Sequence, residues 1–463
     1  MVQRIKAGAP PTVRRARGAD PSAPKKPATS EEPPKATGWA AKPNARSASL
    51  QRALADQKVT DAEWKALGPE LQKSQLGAPE NRQLLEAFAS PNVRFDARAA
   101  EQAQQVLVAK GYDVSRPGLS AAELKHLTEG NVAEADLTFE ALSQAVGADQ
   151  ATGEVAIVDG GFHAHPMLAD NLAGDGKAAK AAQGTAIGQR FGKFTALEQE
   201  AGAHHGTHVA GIATKGTSQI QASLFAIPLE VPDDPQAAQK SAGPSPLPDA
   251  LEAAAKSGAP VVNVSIESFV TPEEAQRYRQ VMEQHPDTLF VFGAGNDQYE
   301  LGSATEGDKS VVESFRLPNM VVVGASNPDG GRWGKSNTSE KFVDLAARGH
   351  AINSASSKGP GLIMESGTSM AAPNVSNLAA KCRLLHPALT PAKVVKLMAA
   401  TSDAHHSWKG QAASGGTINA DRAMQAAATL ALVDKGTALP RAMEELGIPL
   451  LERSKVAEAL SRL

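Results

Sequence analysis

Four short apolar runs punctuate the middle of this chain: Val155-Ala156-Ile157-Val158, Val261-Val262-Asn263-Val264, Leu289-Phe290-Val291-Phe292 and Met320-Val321-Val322-Val323. Ala-rich stretches of helical texture lie between them. A strand covered by helices on both faces has no wet side, so it reads as a continuous apolar run rather than an alternation. The pattern predicts a doubly wound α/β fold, a mostly parallel sheet with helices on both faces. In such sheets chemistry collects beyond the carboxyl ends of the strands, so the residues following each run are the ones to inspect.

The 463 residues allow more than this one unit. Residues 1–48 hold eight prolines and ten Lys and Arg against three acidic residues, a net +7 with almost nothing to build a core. They read as a disordered basic tail. Such a tail either docks on an acidic partner or is simply solvated. Residues 49–150 read as a helical N-terminal region in which no residue looks catalytic. Thr60-Asp61-Ala62-Glu63 and Ser120-Ala121-Ala122-Glu123 both fit the capping box. Trp64, Leu67 and Leu71 follow the first at helical spacing, Leu124 and Leu127 the second, and Ala99, Ala103 and Val106 precede Gly111. The α/β unit is expected over 151–428, and 429–463 reads as a C-terminal helical extension.

Three polar residues stand where chemistry is expected. Asp159 directly follows the first apolar run. His205 opens His205-Gly206-Thr207-His208-Val209-Ala210-Gly211, whose two glycines bracket the expected start of a helix. Ser369 lies in Gly367-Thr368-Ser369-Met370-Ala371-Ala372-Pro373, where a Gly-Thr turn leads into an Ala-rich helix and backbone N–H groups point outward. A serine hydroxyl is hardly ionised at neutral pH. It becomes a nucleophile only if an imidazole takes its proton and a carboxylate fixes the imidazole's tautomer. His204 and His208, four apart, raise a metal-site alternative, but no carboxylate pattern accompanies them and His208 is read as structural.

The order Asp159, His205, Ser369, with these flanking motifs, resembles the subtilisin-like serine proteases, the subtilases of peptidase family S8, over about 153–428. Smaller echoes support it: His165-Pro166, Val323-Gly324-Ala325, Ser336-Asn337, Val343-Asp344-Leu345-Ala346-Ala347 and Gly415-Gly416-Thr417-Ile418-Asn419-Ala420. The resemblance implies a serine endopeptidase with Ser369 as nucleophile, His205 as general base and then acid, and Asp159 as orienting carboxylate. Gly293-Ala294-Gly295-Asn296 resembles the family's oxyanion loop, with Asn296 and the Ser369 N–H as donors. By the same resemblance Ser265, Ile266 and Glu267 belong to the substrate-pairing strand, and Gly293, Ala294 and Gly295 to the facing wall.

Departures from the family pattern bear on specificity. Glu267 and Ser268 replace the usual glycines, and Asp297 follows the oxyanion Asn. Either these acids put negative charge at the first pocket and favour Lys or Arg before the scissile bond, or both face solvent. Arg348 stands where proline is usual, and Asn374 where His is commoner. No cofactor is required by the chemistry, and calcium, common in the family, finds no D-x-[DN]-x-[DN]-G loop here and stays unassigned. A non-catalytic subtilase-like binding protein is the competing reading. An α/β-hydrolase esterase is disfavoured further by its different chain order and by Ala371 where its elbow needs Gly.

The near balance of 47 basic and 50 acidic residues, and the lack of an 18-residue apolar stretch, point to no nucleic acid and no membrane as partner, while the resemblance implies protein or peptide substrates. The single Cys382 forms no intrachain disulfide. The basic start lacks an apolar h-region, so synthesis is expected in the cytoplasm, with any export by a non-Sec route. An active protease there needs restraint. Residues 1–150, or an inhibitory partner over the Ser369 cleft, are expected to supply it, with cleavage in a loose stretch between Gly147 and Gly153.

Overall fold

A computed structural model describes Arg4–Lys6, residues 58–73, a few positions between 84 and 107, and the chain from 133 onward except 174–185, 193–195, 230–244, 304–308 and 360. The second expected capping box, Leu124, Leu127 and Gly111 lie outside the described residues, as does most of the basic tail.

Sixteen strands are described. They are β1 (Arg4–Lys6), β2 (Lys58–Val59), β3 (Arg94–Phe95), β4 (Gly153–Asp159), β5 (Gln189–Arg190), β6 (Ile220–Ala226), β7 (Val261–Val264) and β8 (Glu267–Val270). Then come β9 (Leu289–Gly293), β10 (Lys309–Ser310), β11 (Met320–Ser326), β12 (Leu345–Arg348), β13 (Ile352–Ala355), β14 (Leu362–Glu365), β15 (Asp403–Ala404) and β16 (Gly416–Thr417). The helices used below are α1 (Asp61–Lys73), α2 (Ala133–Val146), α3 (Ala196–Ala213), α4 (Leu247–Lys256), α5 (Pro272–Gln284), α6 (Thr368–Leu385), α7 (Pro391–Thr401) and α8 (Ala420–Asp434).

Nine strands form one sheet in the order β15-β16-β12-β11-β9-β7-β4-β6-β5. Every pairing from β16 to β5 is parallel, and only edge strand β15 runs antiparallel. All four apolar runs are central strands. Their alternate residues enter two separate cores, as the two-residue period of a strand requires. Val155, Ile157, Val261, Val291 and Val323 face α2, α3, α6 and α8. Ala156, Val158, Val262, Phe290 and Val322 face α4 and α5.

The chain leaves β4 for β6 on one side, then crosses to β7 on the other. The strand order therefore reverses between β4 and β7, which is where doubly wound sheets open a crevice for ligands. Asp159 ends β4, and Ser265 follows β7 directly.

The first capping box forms as expected. Thr60 N donates to Glu63 Oε2 at 2.8 Å, and Glu63 N to Thr60 Oγ1 at 3.2 Å, at the start of α1. Trp64, Leu67 and Leu71 are buried on one face of that helix. Arg4–Lys6 pair in parallel with Glu267–Phe269 of β8.

Two expectations need correction. The stretch from Gly147 to Gly153 is not loose. The Gln219 amide donates to the carbonyls of Ala148 and Ala151, both at 2.8 Å, and Gly153 N donates to Gln219 O at 2.8 Å. On its N-terminal side, Phe139, Leu142 and Val146 of α2 sit in the same core as β4 and α6. Nor does His205 begin a helix: α3 starts well upstream at Ala196, and His205 lies in its interior. The helix runs through Gly202 and Gly206 because packing against the β4 loop, not propensity, holds it there.

Candidate active site

Asp159 is fully buried at the carboxyl end of β4. Its Oδ1 accepts from Gly160 N at 2.7 Å and from His205 Nδ1 at 2.8 Å. That bond places the proton on Nδ1 and leaves Nε2 as the basic nitrogen. His205 Nε2 is itself buried and has no hydrogen-bond partner among the described residues. Burial disfavours the imidazolium, but the charge and hydrogen bond of Asp159 and the charge of Glu365 outweigh it, and the His205 pKa is raised.

So close an approach of α3 to the β4 loop needs missing side chains. A Cβ on Gly206 would lie 2.1 Å from Gly161 O and 3.1 Å from Asp159 Cβ. One on Gly202 would lie 2.2 Å from Gly160 O. Glycine at these two positions lets the helix carrying His205 reach the strand end carrying Asp159.

Ser369 is the second residue of α6, a buried position at a helix N-terminus. Its Oγ donates to Ser265 O at 3.2 Å, and Ser265 Oγ donates back to Ser369 O at 2.9 Å. Asn296 follows β9. Its Oδ1 accepts from Thr368 N at 2.8 Å and Thr368 Oγ1 at 3.1 Å, which commits the oxygen and frees the Nδ2 donors for another acceptor. A Cβ on Gly367 would lie 3.3 Å from Asn296 Nδ2 and 3.6 Å from Ser369 N. Both expected oxyanion donors therefore look onto one glycine.

The residues expected to bind substrate lie on neighbouring strand ends, but not all offer side chains. Ile266 and Ala294 pack into the core beneath α4 and α5. Gly293 abuts Thr368, where a Cβ would come within 3.1 Å of Oγ1. Glu267 is buried, and a Cβ on Gly295 would meet its Oε1 at 2.8 Å, so this acid lies against the loop before Asn296. Asp297 is exposed. The two acids that looked alike in sequence occupy different environments. Of the other departures, Asn374 Nδ2 donates to Arg348 O at 2.9 Å, so two unusual residues meet behind the helix start.

His208 is structural, as its sequence context suggests: Nε2 donates to Ile352 O at 3.0 Å and Ile363 O at 2.9 Å. Among the described residues no three His, Cys, Asp or Glu side chains cluster as a metal site, and no helix is long and apolar enough to cross a membrane.

Sequence reasoning missed Asn263 and Ser376. Ser376 Oγ donates to Asn263 Oδ1 at 2.8 Å, and Asn263 Nδ2 donates to Ser265 Oγ at 3.0 Å. This buried relay, a third of the way along α6 from Ser369, ends on the nucleophile candidate's own carbonyl. Its signal was an amide inside the otherwise apolar run Val261–Val264.

The family described as the Subtilase family matches residues 153–427, more than half of the chain. The chain belongs to the subtilase family. That family is one of serine proteases. Halolysin from Haloferax mediterranei is 32% identical over 191 residues, covering 41% of this subtilase and 34% of halolysin. The chain thus spans about a third of the length of the curated relative it matches. A chain of the subtilase cytotoxin SubAB assembly shares the fold, with a TM-score of 0.50 and 19% identity over 64% of this chain and 98% of that one.

Proposed function

We propose that this subtilase is a serine endopeptidase working through an acyl-enzyme. Ser369 Oγ attacks the scissile carbonyl while His205 Nε2 takes its proton. The imidazolium, stabilised by Asp159, then gives that proton to the leaving amine as the C–N bond breaks. Water, deprotonated by His205, cleaves the ester and restores Ser369. Asn296 Nδ2 and the Ser369 N–H donate to the oxyanion at both tetrahedral stages. No cofactor enters these steps. The observation that carries the reading is His205, bonded through Nδ1 to buried Asp159 at the end of β4 and left with an Nε2 that has no partner among the described residues.

Treating wild-type and Ser369→Ala protein with a serine-directed fluorophosphonate, alongside a digest of a peptide library, tests it. Wild type is expected to label and to cut, and Ser369→Ala to do neither beyond the residual level an oxyanion hole supports alone. Unlabelled wild type would instead favour a non-catalytic binding protein.

A further inference from the structure

Beside the Asp159–His205 pair lies a second carboxylate–imidazole pair. His204 Nε2 and Glu365 Oε1 are 2.6 Å apart, with their side chains 28% and 19% exposed. His204 immediately precedes the base candidate on α3. Glu365 ends β14, four residues before Ser369. The pair therefore bridges the arm carrying the base and the arm carrying the nucleophile.

The hairpin that presents Glu365 is tied to the same region at several points. His208 Nε2 donates to Ile352 O and Ile363 O, and Ser354 Oγ donates to His208 O at 2.7 Å. His165 Nδ1 accepts from Met167 N, so its Nε2 carries the proton given to Gly361 O at 3.2 Å. With its backbone pinned in this way, the Glu365 carboxylate has little freedom to swing into solvent. Burial works against its ionisation. The hydrogen bond from His204 and the charges of the neighbouring histidines prevail and hold its pKa down at about 2. It is an anion at any working pH, bonded to the residue that directly precedes the base candidate.

We propose that Glu365, held by His204, is a positioning residue for His205 and a second anionic support for its imidazolium. This rests on the peptidase reading for its consequence but not for its measurement. Among the described residues, the other charged groups around the ring are few. Asp159 faces it from β4, and His204 and His208 lie on its own helix. Glu200 on α3 is already paired with Lys358 at 3.6 Å. The first turn of α6 contributes no acid.

The test is to titrate His205 by NMR in the full chain, in wild type, Glu365→Gln and Glu365→Asp, and to record kcat and kcat/KM against pH. Gln keeps an acceptor for His204 but removes the charge. His205 is then expected to bind its proton roughly three- to tenfold more weakly. The acid limb of kcat/KM should move to lower pH, while plateau kcat falls, because the cation formed in the transition state loses support. Glu365→Asp should restore most of the wild-type titration. An unchanged His205 titration in Glu365→Gln overturns the proposal, whatever happens to activity. A shifted titration in a chain that cuts no peptide would leave the proposal standing and sink the peptidase reading instead.

Discussion

Ser265 and Ser369 are bonded to each other twice: each hydroxyl donates to the other's backbone carbonyl, at 2.9 and 3.2 Å. The nucleophile candidate is thereby parked on the link between β7 and β8, and not on the imidazole. Attack requires the hydroxyl to leave Ser265 O for the imidazole, and catalytic hydrogen bonds often tighten only when substrate arrives. Behind this pair stands the relay from Ser376 through Asn263.

Asn263→Ala should therefore destabilise the protein by about 1–3 kcal/mol, the usual cost of leaving buried polar groups unpaired. Ser265 Oγ would lose its donor, and Ser376 would keep only its bond to Ala372 O at 3.2 Å. Urea unfolding measures this. A cost near zero would mean that the relay is ornamental to the core.

For Asn296→Ala, kcat should fall about 10²–10³-fold with little change in KM, because the amide donates only once the oxyanion has formed. The range is the one observed for such a donor in a subtilisin. Thr368 would also lose the acceptor of both its N–H and its hydroxyl, so a melting curve should accompany the kinetics. A rise in KM at constant kcat would place Asn296 in ground-state binding.

Glu267 lies buried against Gly295, whereas Asp297 is exposed, so any acidic preference belongs to Glu267. Peptides with Arg or Lys before the scissile bond should be favoured over Phe or Leu. Glu267→Gln should cut that preference by about tenfold, the equivalent of roughly 1.4 kcal/mol of lost charge complementarity. The same ranking in wild type and variant would show that this acid serves only the fold.

Stability should depend on pH through His208. Burial pushes its pKa down to about 4, so the folded ring is neutral above that value. The unfolded chain takes up the proton near pH 6.5. Between the two, the unfolded state binds more protons, so stability present above about pH 6.5 is lost as pH falls towards 4, by about 3 kcal/mol. Glu365 acts in a lower window. Its contribution is lost as pH drops from about 4.5 towards 2. Melting temperatures recorded from pH 7 to 4.5 should fall steeply in wild type and less in His208→Gln; parallel curves would exclude His208 as the cause.

The sheet was legible because four buried parallel strands have no polar alternation to hide them, and Asp159, His205, Ser369 and Asn296 follow from motif and chain order. What escaped were contacts between residues distant in sequence. Nothing local marks Glu365 as the partner of His204, or Ser376 as the partner of Asn263. The helical start at Ala196 was missed because Gly202 and Gly206 weaken the local helical signal, while contact with Gly160 and Gly161 requires those same glycines. The firmness of residues 147–153 depends on Gln219, a side chain from another element.

That firmness alters what removal of the N-terminal region would do. Phe139 and Leu142 of α2 are buried in the core shared with α6, and Lys435 Nζ donates to Val146 O at 3.0 Å, tying α2 to the end of α8. Cutting between Gly147 and Gly153 would leave α2 held by these contacts alone. Its dissociation would expose an apolar face. Phe139→Ala should cost about 3–5 kcal/mol, the range for emptying a buried aromatic site. A chain starting at residue 133 should melt near the full-length protein, whereas one starting at 151 should unfold many degrees lower. Intact masses of wild type and Ser369→Ala, purified side by side, complete the test. Self-processing that spares α2 would remove about 130 residues from wild type only. A stable, active product lacking all 150 would show that α2 is dispensable and that its packing is not part of the protease core.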